Sequence, residues 1–246
     1  LTLTMHAIYT FAKEVEIDDV KELLDQMIAC NTAIAQEGMH GDYGANIGKV
    51  IAIRKDLPSL LKAYAAAGSD ARMNGCELPV VINSGSGNQG LTVSVPLIIY
   101  AEREHLDKEK LYRALVISNL TAIHLKTEIG RLSAFCGAVS AGAACGAGLA
   151  YLKDASEEVM NHTIVNALAI TSGIICDGAK ASCAAKIAVS VEAGILGYDM
   201  YMNGQQFYGG DGIISKGIEN TIHNIGVLGS QGMASTDQEI IKIMCE

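Results

Sequence analysis

Three short segments carry side chains able to do chemistry. The first, Asn83-Ser84-Gly85-Ser86-Gly87-Asn88-Gln89-Gly90, alternates glycines with hydroxyls and amides. Such a run can turn sharply and aim several backbone N–H groups at one anion. No Gly-Lys-Ser/Thr follows it and no strand–helix frame encloses it, so it is neither a Walker A loop nor a dinucleotide site. Its chemistry is that of a carboxylate or phosphate cradle, or of an ordinary turn. The second is Cys136-Gly137 together with Cys176-Asp177-Gly178-Ala179-Lys180 and Cys183. Thiols beside glycine and near lysine bind soft metals or clusters; the alternative is buried structural thiols. The third, Ala122–Arg131, places His124, Lys126, Glu128 and Arg131 inside an apolar stretch, where a buried His or Lys needs a partner or a task.

Helix geometry sorts the cysteines. Cys136 and Cys145 fall on opposite faces of a helix at about 100° per residue. Cys176 and Cys183 share a face, but continuous helix would hold them about 10 Å apart at 1.5 Å per residue. They meet at one group only if Cys176 precedes the helix, as Gly173 and Gly178 allow. The six histidines show no metal-ligand spacing, and the Cys-x2-Cys spacing of a structural zinc module is lacking.

The elements that must position these residues are helical. Asp18 and Asp19 precede Leu23, Leu24, Met27, Ile28 and Ile34 at helical spacing, up to Gly38. Asp107 opens a pattern that continues through His124. Ser156, with Glu157 and Glu158 behind it, caps a helix ending near Gly173. Thr236 and Glu239 read as a capping box before Ile240. Strand signals are confined to Leu78–Ile82 and Leu91–Val95, with Pro96 weakening the second. The expected fold is all-α, with close-packed Gly/Ala-rich helices and at most minor β structure, as one domain over 1–246.

Composition bounds the rest. Half of the 246 residues are apolar, 26 are Gly and none is Trp, enough for one large core built from small side chains. A net charge of −9 without a basic run argues against nucleic acid. No apolar stretch reaches about 18 residues and no secretory signal is present, so a membrane span is not expected. Seven cysteines in a chain of this size make a poor disulfide framework and fit a reducing cytoplasm. The start at Leu1, without Met, reads as the C-terminal part of a longer protein.

Taken in order, NSGSGNQG (83–90), KTEIGRLS (126–133), CGAVS (136–140) and ICDGAKASCAAK (175–186) resemble the L-cysteine desulfidase family. That family is related to the α chain of iron–sulfur L-serine dehydratases. The resemblance runs through nearly the whole chain. It implies an all-helical fold and a [4Fe–4S] cluster held by three cysteines, one iron staying open as a Lewis acid. It also implies β-elimination of L-cysteine to pyruvate, ammonia and sulfide, or of L-serine to pyruvate and ammonia.

Carried onto this sequence, Cys136 and Cys176 match the best-placed ligands and Cys183 matches a third by order. The dehydratases have a longer loop between the last two; here six residues intervene, and they read as helical. Ser84, Ser86, Asn88 and Gln89 would hold the substrate carboxylate, and Arg131, Lys126 and Lys180 would offset charge. His124 is the candidate base. Family members also carry an N-terminal half with a Cys-Thr-Glu-Pro motif that this chain lacks. The expected partners are therefore a small amino acid, that half or a β-type chain, and further copies of the chain, the isolated chain being catalytically incomplete. Cys245 reads as a surface thiol.

Overall fold

The computed structural model describes residues 3–130 and 133–246. Among them lie eleven α-helices and no strand. The first five are α1 (Met5–Glu14), α2 (Ile17–His40), α3 (Ile47–Ala52), α4 (Leu57–Met73) and α5 (Gly87–Arg103). After them come α6 (Lys108–Ile129), α7 (Gly137–Leu152), α8 (Glu157–Thr171) and α9 (Cys183–Met202). The last two are α10 (Ile218–Val227) and α11 (Ala234–Cys245), joined through a π-helical turn, Leu228–Gly232.

Local chemistry sets the helix starts. The Asp107 carboxylate accepts from the Lys110 N–H at 2.8 Å and the Ser156 hydroxyl from the Val159 N–H at 3.4 Å, each satisfying a donor that the first turn leaves unpaired. Asp18 and Asp19 lie in the first turn of α2, where the helix dipole favours negative charge.

The core forms around α7, which packs against α5, α6, α8 and α9. Its sequence, GAVSAGAACGAGLAYL, is buried at nearly every position, and small residues let its neighbours approach closely. A Cβ on Gly142 would lie 2.3 Å from the Ser190 carbonyl oxygen, and one on Gly146 2.8 Å from the Gly194 Cα. The helices α7 and α9 thus cross nearly backbone to backbone, an approach that larger side chains would forbid.

The two strand expectations are overturned. Leu91–Val95 lies inside α5 with Pro96 in the same helix. Leu91, Val93, Val95 and Leu97 are all buried because α5 is surrounded, and a helix apolar on every face loses its 3.6-residue signature. Leu78–Ile82 carries no regular secondary structure and has no partner strand among the described residues. The capping box also fails: α11 begins at Ala234 with Met233 at its N-cap and no capping side chain, leaving Thr236 within the first turn. The segment 177–182 is loop rather than helix, and α9 begins at Cys183 itself. No helix among the described residues is long and apolar enough to cross a membrane.

Candidate active site

A two-residue antiparallel bridge, Phe135 with Ile175, brings the two cysteine segments together. The Cys136 N–H donates to the Ile174 carbonyl at 3.2 Å and the Cys176 N–H to the Ala134 carbonyl at 2.7 Å. Cys136 then occupies the N-cap of α7, while Cys176 begins the loop that leads to α9. Gly178, at φ +93°, turns this loop in a conformation that L side chains rarely adopt. The Cys183 thiol caps the turn by donating to the Gly178 carbonyl at 3.5 Å.

The result is a cavity of about 500 Å³ bordered by Cys136, Cys176 and Cys183. Ser86, Asn88 and Gln89 border the same cavity, as do Lys126, Arg72 and Lys186. Among the described residues no three His, Cys, Asp or Glu side chains converge on a point suited to a single metal ion.

Charge is unevenly shared within the thiol pair. The Cys136 and Cys176 thiols are neighbours, and their mutual interaction is the largest influence on both. It holds the proton on Cys136, which burial pushes further up, and it lowers Cys176 below the ordinary thiol range. The Gly178 N–H, Lys186 and Lys126 add to the depression at Cys176. Lys126 is buried on α6, and desolvation lowers its ammonium below the usual lysine range. Lys186 forms an ion pair with Asp177.

The glycine-rich run faces the thiols from across the cavity. Ser86 caps α5, its hydroxyl accepting from the Gln89 N–H at 3.4 Å. Gly87 and Asn88 are therefore the first two helical residues, whose N–H groups have no intrahelical acceptor. The Arg72 guanidinium donates to the Asn88 side-chain oxygen at 3.4 Å. Gln89 lies against Gly137, where a Cβ would come within 2.6 Å of the Gln89 Nε2. The Gln89 Oε1 is buried with no partner among the described residues.

The site residues named from sequence separate into two groups. Ser86, Asn88, Gln89, Lys126, Cys136, Cys176 and Cys183 border one cavity. Ser84 is not among the bordering residues, and its hydroxyl donates to Asn83 Oδ1 at 2.8 Å. Lys180 is not among the bordering residues; its carbonyl accepts from the Cys183 N–H at 3.0 Å. His124 also lies off the cavity, with Nε2 2.7 Å from Glu219 Oε2, tying α6 to α10. Arg131 falls outside the described residues. Two bordering cations were not named as site residues. Lys186 lies one helical turn beyond Cys183, a spacing that could have flagged it, whereas Arg72 comes from α4 without any local motif. Cys245 is exposed.

The chain is similar to longer bacterial proteins called UPF0597 proteins. It is 63% identical over 244 residues to that of Desulfitobacterium hafniense, covering 98% of this chain and 57% of the relative. It is 52% identical over 244 residues to that of Lachnoclostridium phytofermentans, covering 98% of this chain and 58% of the relative. It is 49% identical over 245 residues to that of Finegoldia magna, covering 99% of this chain and 59% of the relative. The chain thus spans a little under three-fifths of these relatives' length. No solved structure matches it. Residues 3–242 match the family model described as serine dehydratase alpha chain, and the chain belongs to that family.

Proposed function

We propose that this chain supplies the greater part of the active site of an iron–sulfur-dependent lyase acting on a small L-amino acid. The preferred reaction is L-cysteine to pyruvate, ammonia and sulfide. The supporting observation is the meeting of three thiols with the α5 N-terminus and the Lys126 and Lys186 side chains around one cavity. The donor set suits a group that spans several ångströms and takes soft ligands. Three thiols are offered, no histidine borders the cavity among the described residues, and Lys186 and Arg72 add positive charge beside them. Cys136, Cys176 and Cys183 would hold a [4Fe–4S] cluster. Such a cluster, when bound, supplies an open iron acting as a Lewis acid.

The chain's own residues do the remaining work. The Gly87 and Asn88 N–H groups and the Ser86 hydroxyl receive the substrate carboxylate, where the helix dipole favours an anion. Arg72 fixes the Asn88 amide and adds positive charge beside it. The unpartnered Gln89 Oε1 accepts from the substrate ammonium. Lys126, whose ammonium form desolvation disfavours, takes the α-proton as the neutral amine; it borders the cavity, whereas His124 and Lys180 do not. The leaving group departs, and the aminoacrylate released hydrolyses to pyruvate and ammonia.

The family description favours a second substrate, L-serine, with water as the leaving group. The relatives' additional length, or a β-type chain, would complete the enzyme, and a homo-oligomer is in keeping with this design.

The test is anaerobic reconstitution of the relatives' full-length form, with visible absorption and with sulfide and pyruvate assays on L-cysteine and L-serine. A brown cluster band and elimination of one of the two are expected, both lost in Cys136→Ser and Cys176→Ser. Elimination undiminished in both variants would overturn the proposal.

A further inference from the structure

A second cavity, of about 710 Å³, shares no bordering residue with the thiol cavity. One wall is the face of α8 carrying Glu157, Glu158, Asn161 and His162, and the other is the loop 206–217 with Gln206, Phe207 and Lys216. This loop is anchored from within. Asn166, fully buried, accepts from the Phe207 N–H at 3.1 Å through its side-chain oxygen and donates to the Gly197 carbonyl at 3.0 Å. The Asn224 amide holds the Ile213 carbonyl at 2.9 Å, and the Ser215 N–H donates to the Thr221 hydroxyl at 3.2 Å. The His162 ring is fixed by stacking on Tyr201, centroids 4.4 Å apart and planes 6° from parallel.

Three residues bordering this cavity each carry a polar atom that is buried with no partner among the described residues: Asn161 Oδ1, Gln206 Oε1 and His162 Nδ1. Buried polar atoms are rarely left unpaired in a folded protein, because their lost hydration is uncompensated. Three around one preformed cavity mark a place where a ligand supplies the missing partners. Two of the three are amide oxygens, which only accept. The Glu157 carboxylate, paired with His6, and the Glu158 carboxylate, which accepts from the Tyr201 hydroxyl, have further acceptor capacity, and burial lowers His162 below the usual histidine range. The complement to such a wall is a group rich in N–H donors and carrying positive charge, and a primary ammonium has three donors and no acceptor. Val165, Ile214 and Ile218 also border the cavity and offer apolar surface to a carbon chain.

We propose that this cavity is a binding site for a small aliphatic molecule bearing a primary ammonium group, held by Asn161 and Gln206. The ammonium could belong to a free amine or to an α-amino acid. Lys216, the one cation bordering the cavity among the described residues, is placed to read a carboxylate and so to distinguish them.

Three ligands with matched carbon skeletons test this on the 246-residue chain by calorimetry: n-pentylamine, L-norleucine and hexanoate. Binding of n-pentylamine or L-norleucine with Kd below about 1 mM is expected, with hexanoate at least tenfold weaker. Asn161→Leu and Gln206→Leu should each weaken that binding about tenfold, the scale of a hydrogen bond to a charged group, with circular-dichroism melts showing that the variants fold. The His162 ring resonances, assigned by His162→Gln, should shift on titration. Tighter binding of norleucine than pentylamine, abolished by Lys216→Ala, assigns the site to an amino acid; equal binding unaffected by Lys216→Ala assigns it to an amine. Hexanoate binding as tightly as the amines, unchanged affinity in both leucine variants, His162 resonances that do not move, or no binding of either ammonium ligand up to about 10 mM would each overturn the proposal.

Discussion

Substituting Gly142 by Ala tests whether the near-contact of α7 and α9 holds the thiol cavity together. The new methyl would sit 2.3 Å from the Ser190 carbonyl oxygen, 2.5 Å from its carbon and 2.6 Å from the Ser190 Cβ. Ordinary contact begins at 3.4 Å, so the two backbones must part by about 1 Å in a core packed at near-crystalline density. Overpacking of this kind costs about 1–3 kcal/mol, and a clash with backbone belongs at the upper end. The gain in helix propensity from Gly to Ala returns about 1 kcal/mol, leaving a net loss of about 2 kcal/mol. For a chain of this size that lowers Tm by roughly 4–8 °C. Because Cys136 caps α7 and Cys183 begins α9, the same displacement widens the cavity, and iron loading should fall along with Tm. The assay is a thermal melt followed by circular dichroism, paired with iron quantification after anaerobic reconstitution. Gly173→Ala is the control, since a Cβ there meets nothing within 4 Å. A Gly142→Ala melt within about 1 °C of the parent would refute the backbone-contact account.

Four further outcomes are expected. His124→Gln should lower Tm by releasing Glu219 from α6, yet leave kcat/KM of the full-length enzyme within about threefold, whereas a His124 base would cost about 100-fold or more; steady-state kinetics decide between the two. Iodoacetamide should alkylate Cys176 well before Cys145, because the neighbouring Cys136 thiol lowers the Cys176 pKa to about 6 while burial pushes Cys145 up. Thiolate is present above the depressed value, so Cys176 labelling should persist at mildly acidic pH and fade as pH falls through it, read by peptide mass spectrometry. Asn166→Leu should cost about 2–4 kcal/mol by leaving the Phe207 N–H and the Gly197 carbonyl without their partner, seen as a lower denaturation midpoint at unchanged m-value. Gln89→Leu should raise KM for the amino acid about tenfold in the full-length enzyme by removing an acceptor for its ammonium.

The parts legible from the sequence are those governed by neighbours in the chain. Asp107 and Ser156 mark helix starts because a cap is a contact over three residues. The glycines of α7 and α9 announce close packing because no other residue permits it. Leu91–Val95 misleads because a helix buried on every side carries no periodic stripe, so its branched residues pass for a strand. Lys186 and Arg72 are harder still: one enters the site through a helical turn and the other through the packing of α4 beside α5, a long-range contact with no local trace. The loop 177–182 reads as helical by composition, yet Gly178 at positive φ and the Cys183 thiol on its carbonyl keep it open.

The Phe135–Ile175 bridge also governs when the site can exist. It joins two points forty residues apart and closes a loop that contains all of α7 and α8. Closing a loop of that length carries an entropy cost that only the packing within it can offset. Cys136 and Cys176 are therefore strangers in the unfolded chain and neighbours only after the α7–α8 pair has docked. On the proposed function, a system delivering iron and sulfide would meet the pair only in a folded chain, which would make cluster loading a late event. The converse also holds: a group bridging the two sulfurs would staple this forty-residue loop and slow its opening.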